Sequence, residues 1–243
     1  MKQRTDQKTH VAAAIGLFGS MFVLSTPVNA EVPDPTEWEF GSAVLWESKY
    51  VAEGRDELEN SGIFSLELAA AYSGLAFSVW SAIADRVNYK ELNLTVAYGY
   101  EWQGIEFVGG YTHLRFAPGS ETDDELFLEM ATDLPAGFRL SAGGVYSFEA
   151  EGTFWEVALG YPRSFVEERL WLEPYVLAGV DFGYRTSEHD GWNHVEVGIS
   201  ASYAIHEQLE ILGYLKHSFA QRDVRREGLG DVSWAGVGLA YSF

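Results

Sequence analysis

From Trp38 to Phe243 the chain alternates apolar and polar residues in one short run after another. Phe138, Leu140, Ala142, Gly144, Tyr146 and Phe148 form an apolar series, and Arg139, Ser141, Gly143, Val145, Ser147 and Glu149 interleave with it. Val195, Val197, Ile199, Ala201, Tyr203 and Ile205 repeat the pattern against His194, Glu196, Gly198, Ser200 and Ser202. Trp38, Phe40, Val44 and Trp46 do so against Glu39, Gly41, Ala43 and Glu47. Successive side chains of a strand point to opposite faces, so a period of two marks strands with one apolar and one polar face.

Turn residues divide the chain into twelve such runs, which predict strands over 38–50, 62–73, 75–84, 89–101, 104–115, 124–134, 137–149, 152–162, 170–182, 193–205, 208–219 and 231–243. The connections are tight at Ser73-Gly74, Gln103-Gly104, Pro135-Ala136-Gly137 and His206-Glu207, and long at 51–61, 116–123, 183–192 and 220–230. Each long one follows an odd-numbered run, while 85–88 and 163–169 depart from the rule. Short turns on one side and long loops on the other characterise outer-membrane barrels. Runs of about ten residues suit a tilted membrane strand. Large aromatics near the run ends, such as Trp38, Trp46, Tyr98, Tyr100, Trp102, Phe148, Trp155 and Tyr161, suit interfacial girdles. A soluble β-sandwich also alternates, but it would gather these aromatics into one core. The expected fold is all-β, a transmembrane antiparallel up-and-down barrel of about twelve strands.

The first thirty residues read differently. Lys2, Arg4 and Lys8 precede an apolar stretch from Val11 to Leu24, and Val28-Asn29-Ala30 satisfies the small-x-small cleavage rule. The stretch is shorter than the roughly 20 residues of a spanning helix. We therefore expect residues 1–30 to be a signal peptide and 31–243 to be the barrel. Mass spectrometry of the membrane-purified protein should find Glu31 as the mature N-terminus; an intact N-terminal segment would contradict this.

The chain ends Gly238-Leu239-Ala240-Tyr241-Ser242-Phe243. This is similar to the terminal β-signal of outer-membrane proteins, with Gly238, Tyr241 and Phe243 at its key positions and Gly236 where a polar residue is usual. It implies recognition by the barrel-assembly machinery. Closure needs the last strand to pair with the first, since a spanning sheet tolerates no open edge.

Composition narrows the function. There is no cysteine, and 36 acidic residues face 16 basic ones, for a net charge of −20. Such a balance lacks the basic footprint of nucleic-acid binding. No metal spacing or catalytic triad is apparent: Ser218 adjoins His217, but neighbours in a strand face opposite ways. No catalytic residue, metal or cofactor is assigned.

The chemistry lies on the polar faces. With the apolar faces turned to outer-membrane lipid, the inward acids are Glu39, Glu47, Glu67, Glu91, Glu129, Asp133, Glu149, Glu156, Glu173, Asp181, Glu196 and Glu210. The inward bases are Lys49, Arg139 and Lys216. Charge on the lipid face is costly, about 2–4 kcal/mol for a midplane base, so the inward assignment is mostly forced. The runs 104–115 and 208–219 have mixed faces, which leaves Glu210, Lys216 and His113 open. An acidic ring raises local cation concentration; a hydrated or filled polar interior is the bland alternative. Inward Trp80 and Tyr175 are candidate obstructions. Arg222, Arg225 and Arg226 in the last loop suit lipopolysaccharide phosphates, although Asp223 and Glu227 beside them offer nearer partners.

Ser48-Lys49-Tyr50-Val51-Ala52-Glu53-Gly54-Arg55 resembles the opening Ser-x-Tyr-x-x-x-Gly segment of the TorF-like porin family, small bacterial outer-membrane barrels of poorly defined function. Similarity continues through Leu75–Ser81, Glu125–Glu129 and Leu134–Gly144. The family usually has arginine just before the glycine, where this chain has Glu53. The resemblance implies a porin-like barrel and names no substrate. The expected function is passive diffusion of small hydrophilic solutes, with cations favoured by the acidic inward faces. The alternative is a non-conducting barrel with a structural or interaction role.

Overall fold

The computed structural model describes residues 37–187 and 190–243. The expected signal segment 1–30 lies outside the described residues. Twelve antiparallel strands form the wall: β1 (Glu39–Glu47), β2 (Ile63–Tyr72), β3 (Leu75–Ala84), β4 (Lys90–Trp102), β5 (Ile105–Ala117) and β6 (Thr122–Leu134). Then come β7 (Phe138–Ser147), β8 (Gly152–Gly160), β9 (Leu170–Phe182), β10 (Asp190–His206), β11 (Leu209–Ala220) and β12 (Val232–Ser242). Every strand pairs with its sequence neighbours, and β12 pairs with β1, so the sheet closes without an edge. Among the described residues no helix is long and apolar enough to cross a membrane; this wall crosses it with strands.

Closure preserves the two faces. One row of directly opposed residues runs Glu39, Ala71, Ala76, Ala97, Gly110, Phe127, Val145, Phe154 and Asp181. It begins at the short-turn end of β1 and arrives near the long-loop end of β9. That climb is the strand tilt which closing a barrel requires. A slip of one residue anywhere would turn a whole strand inside out. Instead Glu47 meets Gly236 and Leu45 meets Gly238 where last strand joins first, inward residue to inward residue.

Burial is inverted relative to a soluble protein. Leu66, Leu68, Val79, Leu94, Leu126, Val157, Val176 and Leu215 are exposed on the outer wall, whereas Glu67, Glu91, Asn93, Asp181 and Glu196 are buried inside. Outward aromatics gather at both ends. Trp38, Phe40, Tyr72, Tyr98, Tyr100, Trp102, Tyr241 and Phe243 ring the short-turn end, and Phe148, Trp155, Phe182, Trp192 and Phe219 ring the other. Trp38 stacks on Tyr72 across two strands, with ring centroids 5.2 Å apart. An apolar belt between aromatic girdles on an edgeless barrel is the build of a bacterial outer-membrane protein.

The tight turns follow from local chemistry. Ser73-Gly74 and Gln103-Gly104 both have positive φ at each central residue, as a two-residue hairpin matched to strand twist demands. The turn expected at His206-Glu207 sits one residue later, at Glu207-Gln208, because β10 runs through His206. The long connection 163–169 is an extension of the hairpin: Arg163–Phe165 pairs back onto Leu170–Leu172. Two expected wall residues lie outside the strands. Lys49 follows β1 in the loop, 3.9 Å from Asp56, and Glu149 stands exposed in the turn after β7. In both cases the alternation continues past the last paired residue, so periodicity overran the ladder.

Candidate functional site: the barrel interior

The inward faces of β1 to β12 place Glu39, Glu47, Glu67, Glu91, Glu129, Asp133, Glu156, Glu173, Asp181, Glu196 and Glu210 in the lumen wall, with Arg139 and Lys216. Register also turns Glu101, Glu106 and Glu125 inward, which the sequence reading did not single out. The mixed run of β5 resolves with Glu106, Val108, Gly110 and Thr112 inside and Tyr111, His113 and Arg115 outside. His113 then pairs with Asp124 at 2.7 Å on the outer surface.

Several acids are tied to tyrosine hydroxyls. Tyr50 and Tyr89 donate to Glu91 at 2.7 and 2.6 Å, Tyr175 to Glu196 at 2.5 Å, and Tyr184 to Glu125 at 2.5 Å. Tyr214 donates to Glu47. Tyr175 therefore crosses the lumen wall as an acid's partner, alongside whatever obstruction it makes. Near the short-turn rim, Arg139 bridges Asp133 at 3.0 Å and Glu106 at 2.5 Å. Glu173 is housed where Gly160 lacks a side chain: a Cβ there would lie 2.1 Å from its carboxylate oxygen.

Three acids stand apart. Both carboxylate oxygens of Glu67 are buried without a hydrogen-bond partner among the described residues. Glu129 and Glu156 flank Gly143 in one inward row, on either side of a residue with no side chain. His194 Nε2 lies 3.7 Å from Glu156 Oε1.

The long-loop end is filled by the chain itself. Between β1 and β2 the loop 48–62 makes a small hairpin, Val51–Ala52 against Arg55–Asp56, that folds into the mouth. Tyr50 and Leu58 pack on Ile63, Trp80, Ala82 and Ala84, and Val51 packs on Val232 and Trp234. Inward residues nearer the short-turn end, such as Ala69, Ser78, Thr95 and Ala131, are only half-buried. The lumen is thus packed at the long-loop end; towards the short-turn end its inward residues are half-buried on the β2–β6 side, whereas Trp171, Glu173, Ser202 and Leu212 on the β9–β11 side are buried.

Arg55 fastens the loop. Its side chain is 2% exposed, and its guanidinium donates to Asn193 Oδ1 at 2.7 Å and Asp223 Oδ2 at 3.2 Å and pairs with Glu227. Asp223 belongs to a short helix, α1 (Arg222–Arg226), in the last long loop. Asp223 and Glu227 were expected to neutralise the arginines beside them, yet both turn to Arg55, more than 160 residues away in sequence. A bulge supplies the remaining contact. Gly179 and Val180 are consecutive on β9, but their partners on β10 are His194 and Trp192, so Asn193 is the extra residue. Strict alternation would send Asn193 outward beside Val195; the bulge aims it inward with His194. A second latch joins Arg185, in the loop after β9, to Glu57 at 2.5 Å and Glu53 at 3.5 Å. Burial pushes the Glu53 carboxyl above its usual range, and Arg185 pulls it back.

No protein-family model matches the chain, and no curated relative does. Solved structures do. The KdgM porin superposes with a TM-score of 0.60 at 11% identity, over 84% of this chain and 99% of that one. KdgM has also been solved in complex with disordered oligogalacturonate. The NanC porin gives 0.55 at 13% identity, over 83% of this chain and 98% of that one. An outer membrane channel from Pseudomonas putida F1 gives 0.55 at 8% identity, over 87% and 97%. These likenesses establish the fold: a closed twelve-strand barrel of the outer-membrane porin type.

Proposed function

We propose that the protein is an outer-membrane channel for passive diffusion of small hydrophilic solutes, and that it prefers cations. The observation that carries this is the lumen wall, where Glu67, Glu129 and Glu156 face inward without the tyrosine or arginine partners of their neighbours. A like-signed ring in a low-dielectric wall focuses a negative potential along the pore. The porin-type fold shared with KdgM and NanC supports the reading, as does the resemblance to TorF-like porins. The oligogalacturonate seen with KdgM is polyanionic; here such a chain would meet a wall of its own sign, so neutral and cationic solutes fit better. Lipopolysaccharide at the long-loop end and the barrel-assembly machinery at the Gly238, Tyr241 and Phe243 signal are the proposed envelope partners.

The packed mouth favours a second reading, a non-conducting barrel with an envelope role. Planar-bilayer recording separates the two. The channel reading expects discrete current steps from the purified barrel, with closures as the inward loop seats. A silent membrane, both for the native chain and for a variant lacking residues 51–58, would leave the structural reading.

A further inference from the structure

Half of the buried side-chain polar atoms left without partners in the described residues lie in one place. They are Glu67 Oε1 and Oε2, Trp80 Nε1 and Asn93 Oδ1. Glu67 opposes Trp80 and Trp80 opposes Asn93 in the ladder, so the three form one inward row across β2, β3 and β4. Directly opposed residues hold their Cβ atoms about 4.5–5.5 Å apart, which sets Glu67 and Asn93 on either side of Trp80. The Asn93 amide is oriented: its Nδ2 donates to Glu91 at 2.8 Å, which leaves Oδ1 as the free end. Small residues border the row. Ala43 opposes Glu67 from β1, Ser65 and Ala69 flank it on β2, and Ala82 and Ser78 flank Trp80 on β3.

An unpaired buried polar group costs about 1–3 kcal/mol, more when charged. Four together on one row, beside Glu47 and Glu91 whose carboxylates accept from tyrosine hydroxyls, indicate a place that another molecule completes. The inventory is three acceptors, two of them sharing a negative charge, and one donor. A primary ammonium has three N–H donors and a positive charge. A hydroxyl or ring oxygen a few bonds away would accept from Trp80 Nε1. We propose that Glu67, Trp80 and Asn93 form a binding site for a small primary amine that also carries a neutral oxygen, the amino-alcohol and amino-sugar class. This rests on the lumen being a solute path and names what the path recognises.

The site has a cover. Tyr50 and Leu58 of the inward loop pack in the same cluster as Trp80. Withdrawing the loop removes two large side chains from that cluster, so the Arg55 latch and amine binding oppose one another.

Ethanolamine is the probe, titrated into the refolded mature barrel in detergent while the tryptophan indole N–H resonances are followed. Trp80→Phe identifies the Trp80 signal by its loss. Saturable movement of that signal is expected with ethanolamine. Ethylamine, which lacks the oxygen, should bind more weakly and leave the indole signal in place, and tetramethylammonium, which has no N–H, should do nothing. Glu67→Gln should weaken binding at least about tenfold, the scale of a charged hydrogen bond. Arg55→Ala should tighten it. Heat-dependent gel mobility confirms that each variant is folded. An unmoved Trp80 signal, or equal affinity in folded Glu67→Gln, overturns the proposal. The titration needs no current, so its failure is separate from a failure of the channel reading.

Discussion

Arg55→Ala should convert a mostly seated loop into a mostly open one. The guanidinium removed is the counter-charge of Asp223, which is only 1% exposed, and of Glu227. Removing one partner of a buried pair costs about 3–5 kcal/mol, because the other charge is left uncompensated. That cost falls on the inward position of the loop, since the wall strands pair through backbone contacts that do not involve Arg55. At about 1.4 kcal/mol per tenfold, the ratio of open to seated loop should rise by a factor of roughly 100 or more. Single-channel recording should show a larger mean conductance and fewer closures. Arg55→Lys keeps a charge but loses the fork that reaches Asn193 and Asp223 together, and should fall between. Conductance in Arg55→Ala equal to that of the native barrel would show that the loop does not control the mouth.

Changing both Tyr241 and Phe243 to serine should cut the folded yield several-fold. The two rings face lipid at the short-turn end of β12, with centroids 4.8 Å apart. The Phe243 backbone N–H also donates to Phe40 at 3.0 Å, at the seam where the last strand meets the first. Each large apolar side chain withdrawn from water contributes about 1.5–3 kcal/mol. Beyond that energy, the strand that closes the ring is the one whose terminal pattern the proposed assembly signal occupies. Folded and heat-unfolded bands on a gel give the yield directly. Assembly as efficient as the parent's would refute the role given to this terminus.

The wall was legible because one face of each strand had to satisfy lipid. That requirement imposes a period of two that survives in the letters, as in Val195 to Tyr203 or Phe138 to Phe148. The inward assignment of Glu67, Glu129, Glu156 and Glu196 followed from it. Lys49 and Glu149 were misplaced for the same reason, since alternation does not mark where pairing stops. Asn193 was hidden because a bulge breaks the period by one residue, and nothing in the composition of that run announces it. The inward loop was hidden more deeply. Arg55 finds Asn193 and Asp223 at sequence separations of 138 and 168, contacts that only the closed ring brings together.

The most direct test of an acid-lined conducting lumen is the reversal potential across a bilayer under a potassium chloride gradient. The measurement compares the native barrel with a variant carrying Glu67→Gln, Glu129→Gln and Glu156→Gln. The native pore should be cation-selective, and its selectivity should fade as salt rises, because charge is screened over about 8 Å at physiological ionic strength. The triple variant should lose much of that selectivity while still conducting. An anion-selective native pore, or undiminished cation selectivity in the variant, would contradict the account.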